Sequence, residues 1–168
     1  MKRLDTESGK GFSYKADISV LEQYYQKQFD LIRKGNTDLV SLELVMLGNA
    51  LDFISFVKSS FGITLDGNDK SVVPFEEVLD ALSRGIINKN LFDKQTSIAQ
   101  KAGAYLGFLI IANIGGKWVD TNEGAAVVVS GREVYVMDFI SKRLMSGSEL
   151  NAADYYKAVN ALKTTSEH

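Results

Sequence analysis

Residues 96–143 read TSIAQKAGAYLGFLIIANIGGKWVDTNEGAAVVVSGREVYVMDFISKR. Ile98, Ala102, Tyr105, Leu109 and Ala112 recur at three- and four-residue spacing, which predicts a long helix with one core stripe. Ala99, Gly103 and Gly107 make a second stripe of small residues beside it. A glycine inside a helix costs about 1 kcal/mol relative to alanine, so this stripe predicts another backbone close against that face. Gly115-Gly116 ends the helix. Three short strands follow at 117–120, 125–130 and 132–137, with turns at 122–124 and at Ser130-Gly131. The unbroken apolar run 125–129 predicts a central strand covered on at least one face. Asp138 then caps a short helix, FISKRLMS, and Gly147 stops it.

Upstream, Ser19-x-x-Glu22 has the form of a capping box. Leu21, Tyr25, Phe29 and Ile32 follow it as one helical stripe that ends at Gly35. The next helix, capped by Thr37 or Asp38, runs to about Ser60 and carries two adjacent stripes. One is Leu39, Leu42, Met46, Ala50, Phe53 and Val57; the other is Val40, Leu44, Leu47, Leu51 and Ile54. Only a strip through Ser41, Gly48, Asp52 and Ser55 reads as wet, so this helix is expected at the centre of the core. Ser71 caps a shorter helix that Gly85 closes, and Asp93 or Thr96 starts the long one. Downstream, Asn151 caps a last helix with Tyr155, Tyr156, Val159 and Leu162 available for packing. The expectation is an α+β fold: a mainly helical domain with a three-stranded antiparallel β meander over about 117–137 and two C-terminal helices. Residues 1–16, polar and glycine-containing, read as a flexible N-terminal arm, and 17–165 as a single α+β domain.

A chain of 168 residues is long enough to bury roughly 70% of its unfolded surface. The net charge of −2 is spread evenly, without the basic excess that phosphate binding needs, so no nucleic-acid partner is expected. No apolar run in the first half reaches bilayer length and no signal-like start is present, so the expectation is a cytoplasmic protein with no membrane partner. There is no cysteine, and the one histidine is His168. Thiol nucleophiles, disulfides, the usual zinc sites and histidine bases are thereby excluded. No metal and no cofactor are expected. Asp66, Asn68 and Glu77 fall at calcium-loop positions 1, 3 and 12, but Lys70 and Ser71 stand where a ligand and the obligatory glycine belong.

The stretch GAYLGFLIIANIGGKWV, followed by VYVMDFISKRLMSG and preceded by LDGNDKSVVPFEEVLD, resembles uncharacterised bacterial families of unknown function. Their pattern is a GAYLGE-type helix, a GG-x-W strand, a hairpin and a Lys-Arg helix, and the resemblance covers about residues 63–160. The family pattern has a glutamate after Tyr-Leu-Gly; here Phe108 stands in that place. Spacing from Lys94 and Lys101 puts Phe108 on the polar side of the helix. There it is either covered by the N-terminal arm or the last helix, or it forms part of a contact patch.

The candidate binding residues are Phe108, Trp118, Asp120, Glu123, Tyr135, Lys142 and Arg143. Ordinary roles exist for each: Trp118 as packing, Asp120 and Glu123 as turn residues, Lys142-Arg143 as a solvated face at a helix C-terminus. Aromatics and arginine are also the residues that most often carry binding energy. No carboxylate pair, nucleophile or base stands at a catalytic spacing. The reading is therefore a non-catalytic protein-binding module, in its most concrete form a cytosolic, antitoxin-like immunity protein that neutralises a partner toxin. The alternative is a small-ligand-binding or degenerate enzyme domain using the Trp118, Tyr135, Lys142 and Arg143 surface.

Overall fold

A computed structural model describes residues 12–89 and 95–166. A strap, residues 12–16, leads into α1 (Ile18–Arg33). Helices α2 (Leu42–Phe61), α3 (Val72–Lys89) and α4 (Gln95–Asn113) precede strands β1 (Lys117–Thr121), β2 (Gly124–Val129) and β3 (Arg132–Val134). Helices α5 (Val136–Ser146) and α6 (Ala152–Ser166) complete an α+β fold that is mainly helical. Two short 3-10 turns, Thr37–Leu39 and Asp69–Ser71, lead into α2 and α3.

The sheet is antiparallel in the order β1-β2-β3, with Thr121 opposite Gly124 and Val129 opposite Arg132. Both hairpins therefore turn in two residues. At the second, Ser130 and Gly131 have φ of 50° and 79°, the paired positive values that a twisted two-residue hairpin needs.

Helix α4 is the hub. Every residue from 102 to 112 is buried, and α2 and α5 make their largest contacts with it. The expectation that α2 is the centre is corrected here: α2 keeps Asp52, Ser55 and Phe56 at solvent, whereas the middle of α4 has no wet face. Helix α2 is long and apolar enough to cross a membrane by length and composition; its Leu47, Ala50, Phe53 and Val57 face the core. Phe53 meets Phe75 edge-on with ring centres 5.8 Å apart, and Phe75 lies 5.4 Å from Tyr105.

The small-residue stripe on α4 is used twice. A Cβ on Gly103 would lie 3.2 Å from the Cα of Met137, the close backbone approach that the stripe predicts. A Cβ on Gly107 would lie 2.2 Å from Cζ2 of Trp118, so there the close neighbour is an indole ring rather than a backbone.

Boundaries shift where local chemistry differs from the sequence pattern. Ser41 caps α2, its Oγ accepting from the Leu44 amide at 3.1 Å; Thr37 and Asp38 lie in the preceding 3-10 turn. Helix α1 starts behind Asp17, so Ser19 sits inside it and no capping box forms. Helix α3 runs through Gly85 to Lys89. The third strand stops at Val134, since α5 begins at Val136, two residues before the expected cap at Asp138. Gly48, read as wet, is covered by the ring of Tyr25. Asn151 does cap α6, accepting from the amides of Ala153 at 2.8 Å and Asp154 at 3.2 Å. Asp93 and residues 1–11 of the expected arm lie outside the described residues.

Residues 12–16 are no arm: Phe12, Tyr14 and Ala16 are buried. Ser13 folds the strap into a turn, its carbonyl accepting from the Ala16 amide at 3.0 Å and its Oγ from the Lys15 amide at 3.1 Å. That turn projects Phe12 and Tyr14 inward.

Candidate functional site

The seven candidate residues do not form one surface. Phe108 is 2% exposed. The Tyr14 ring meets it edge-on at 5.3 Å and the Tyr105 ring lies parallel at 6.2 Å, while Gly67 comes so near that a Cβ would sit 2.7 Å from the phenyl. Phe108 as part of an exposed contact patch is thus corrected: α4 has no polar side at that level, and the strap supplies the cover. Trp118 is buried over Gly107.

Arg143 is buried with no exposed surface. Its Nε donates to Glu76 Oε1 at 3.1 Å and its Nη2 to Glu76 Oε2 at 2.5 Å and Asp80 Oδ1 at 3.3 Å. Burial alone would lower the guanidinium pKa; hydrogen bonds and charge from Glu76, then Asp80, outweigh it and hold the pKa above its ordinary value. Glu76 Oε1 also accepts from the Ala152 amide at 2.8 Å, in the first turn of α6. Arg143 therefore clamps α5 to α3 and, through Glu76, to α6. The four-residue surface with Trp118, Tyr135 and Lys142 does not assemble, because its arginine and its tryptophan both point into the core.

Two candidates remain together. Glu123 and Tyr135 line a half-open groove of about 320 Å³ between α2, α4, the first hairpin and the start of α5. Val45 and Met46 from α2 and Met137 from α5 form its apolar walls; Asn49, Gln100 and Asp138 complete its rim. The hairpin is stiffened by Thr121, whose Oγ accepts from the Glu123 amide at 3.1 Å and donates to the Gly124 carbonyl at 2.7 Å. The same Oγ lies 3.3 Å from the Tyr135 hydroxyl, tying the ring to the turn. Gly103 lets Met137, one of the groove's walls, settle against α4. Lys142 is exposed and ion-paired to Asp138 at 2.9 Å, so it neutralises one rim carboxylate from outside. Asp120 is exposed on β1, opposite Ala125.

The groove residues that the sequence pattern passes over are Val45, Asn49, Gln100 and Met137. Val45 was the available signal: an apolar residue outside both stripes of its helix, and 45% exposed.

A second concavity, about 700 Å³ and wide open, lies between α3 and the turn after α5, lined by Glu76, Glu77, Asp80, Ser83, Arg84 and Glu149. Glu76 and Asp80, the carboxylates that hold Arg143, lie in its wall, and Ser83 Oγ donates to the Leu144 carbonyl at 2.8 Å. Among the described residues no group of carboxylates and imidazoles is arranged to hold a metal ion. No protein-family model, curated protein or solved structure matches the chain.

Proposed function

We propose that this chain is a non-catalytic docking module that binds another protein through the groove between α2, α4 and the first hairpin. One observation carries the reading: an exposed valine opens onto a trough walled by Met46, Met137 and the Tyr135 ring, inside a polar rim of Asn49, Gln100, Glu123 and Asp138. An apolar centre within a polar rim is how protein interfaces are built, and methionine walls adapt to an inserted side chain. At about 320 Å³ the groove sits at the small end of ligand pockets. It fits a single anchoring side chain better than a whole ligand.

The charge of the rim supports a cationic partner segment. Glu123 is exposed at the turn, and Asp138 pairs with the exposed Lys142. The partner segment presents a Leu-, Met- or Phe-sized anchor with a lysine or arginine beside it. In its most concrete form the partner is a toxin that this protein neutralises in the cytoplasm. The support for that form is the resemblance to bacterial families together with the groove.

The test is co-expression of the chain with the product of the adjacent reading frame, followed by purification through a tag on either. A complex that forms with the wild type and is lost with Val45→Glu supports the reading. A complex that persists with Val45→Glu counts against the groove.

A further inference from the structure

We infer that the groove selects an arginine beside the partner's apolar anchor, and that Tyr135 reads it with a hydroxyl oxygen fixed as an acceptor. The inference rests on the docking reading above and names the partner residue that the rim recognises.

A count of hydrogens at the first hairpin fixes the direction of the Tyr135 bond. Thr121 Oγ carries one hydrogen, and it goes to the Gly124 carbonyl at 2.7 Å. The same Oγ accepts from the Glu123 amide at 3.1 Å. For its third contact, 3.3 Å to the Tyr135 hydroxyl, the threonine has no hydrogen left. Tyr135 is therefore the donor. Its phenolic hydrogen is committed to the turn, and its oxygen has only lone pairs to offer. A free hydroxyl rotates to suit a donor or an acceptor; this one suits a donor.

Its surroundings have the same polarity. Glu123 and Gly124, whose backbone Thr121 holds, line the groove together with Tyr135. The exposed Glu123 carboxylate makes no hydrogen bond or ion pair among the described residues. Asp138 stands on the same rim, with Oδ2 turned to Lys142 at 2.9 Å. No lysine or arginine is among the described residues that line the groove. An acidic partner residue would meet two carboxylates and a phenol without a hydrogen to give. A cationic one meets acceptors throughout.

Arginine suits this rim better than lysine. Its apolar stem can lie along the methionine wall while the head stays wet. Its planar fork sets several N–H donors in fixed directions, so one side chain can bond a phenol oxygen and a carboxylate together. It is also more weakly hydrated than an ammonium group, which favours it at a half-open site.

The probe is the peptide Ac-Gly-Arg-Leu-Arg-Gly-NH2, which places an arginine on either side of a leucine anchor. Two counterparts carry lysine, or uncharged citrulline, at both arginine positions. The full chain, labelled at its methionine methyls, is titrated with each and followed by NMR. Met46 and Met137 report on the groove, and Met145, exposed at the far end of α5, is the control. The arginine peptide should shift Met46 and Met137 but not Met145, and bind about tenfold more tightly than the citrulline peptide. Tyr135→Phe should lower its affinity about tenfold, as expected for losing a hydrogen bond to a charged group. Thr121→Val, which frees the phenolic hydrogen, should narrow the preference for arginine over citrulline, whereas Thr121→Ser should preserve it. Met46 and Met137 shifts with lysine or citrulline binding as tightly as arginine, or with Tyr135→Phe binding as wild type does, overturn this inference and leave the docking reading standing. No shift of either methyl with any peptide overturns both.

Discussion

Trp118 occupies the space that a side chain on Gly107 would need: a Cβ there would lie 2.2 Å from the indole Cζ2 and 2.6 Å from Cη2. The meander is thereby locked onto the hub helix by one ring in one notch. The indole is rigid and buried, so it cannot give way as a flexible chain end would.

Gly107→Leu should therefore destabilise the protein by about 3 kcal/mol, overpacking outweighing the roughly 1 kcal/mol gained in helix propensity. Denaturant unfolding measures it, with Trp118 emission as a second readout, since the displaced indole becomes wetter. A neutral or more stable variant would contradict the notch.

Phe53→Ala should cost on the order of 3–5 kcal/mol, the penalty for emptying a packed aromatic site. Phe53 is 1% exposed and touches Phe75 and Tyr105. A loss under ~1 kcal/mol would show that the core collapses around the gap.

Much of this architecture was legible beforehand, and the gaps have physical reasons. The helices announce themselves by stripes, and the hairpins by Asn122 to Gly124 and Ser130-Gly131. Phe12, Tyr14 and Ala16 went unread because their alternate spacing sits in a short polar stretch, where burial depends on a cleft formed by residues a hundred positions away. Phe108 was misplaced because Lys101 implied a wet face, yet two turns later that face is closed under the strap. Arg143 has the same sequence neighbourhood as any solvated helix end. Its fate is decided by Glu76 and Asp80, one helical turn apart on α3 and far off in sequence. Of the groove, Glu123 and Tyr135 were in view, while the α2 wall was not, because stripe counting discards apolar residues such as Val45 that face outward.

Arg143→Met should destabilise by about 3 kcal/mol, the low end for breaking a buried pair, since Glu76 and Asp80 retain some solvent. Arg143 Nη1 has no partner among the described residues, which tempers the pair's net worth. Adding Glu76→Gln should recover part of the loss: the amide still accepts from Ala152 and leaves no buried charge behind. Thermal unfolding of the two variants decides it, and a double variant worse than the single would contradict the clamp.

Alkaline pH should weaken the fold through its tyrosines. Tyr105 is pushed up to about 12 by burial, with the Ser71 and Gly67 hydrogen bonds opposing. Tyr155 is pushed up to about 12 by burial and then by the charge of Asp138. Each phenol is easier to ionise unfolded, at about 10, so their contribution is intact below pH 10 and lost as pH rises toward 12. The expected slope is about −1.4 kcal/mol per pH unit for each such tyrosine. Urea midpoints across that range, with phenolate absorbance alongside, test it. A flat profile would show these hydroxyls to be solvated.

The docking reading rests on the groove, and calorimetry on a recovered partner addresses it most directly. Val45→Glu and Tyr135→Ala change exposed or half-buried groove residues and should leave the melting temperature within a few degrees of wild type. Each should weaken partner binding by at least ~2 kcal/mol, about thirtyfold in Kd. Lys157→Ala, exposed on α6, should bind as the wild type does. Equal affinity across wild type, Val45→Glu and Tyr135→Ala would contradict the account.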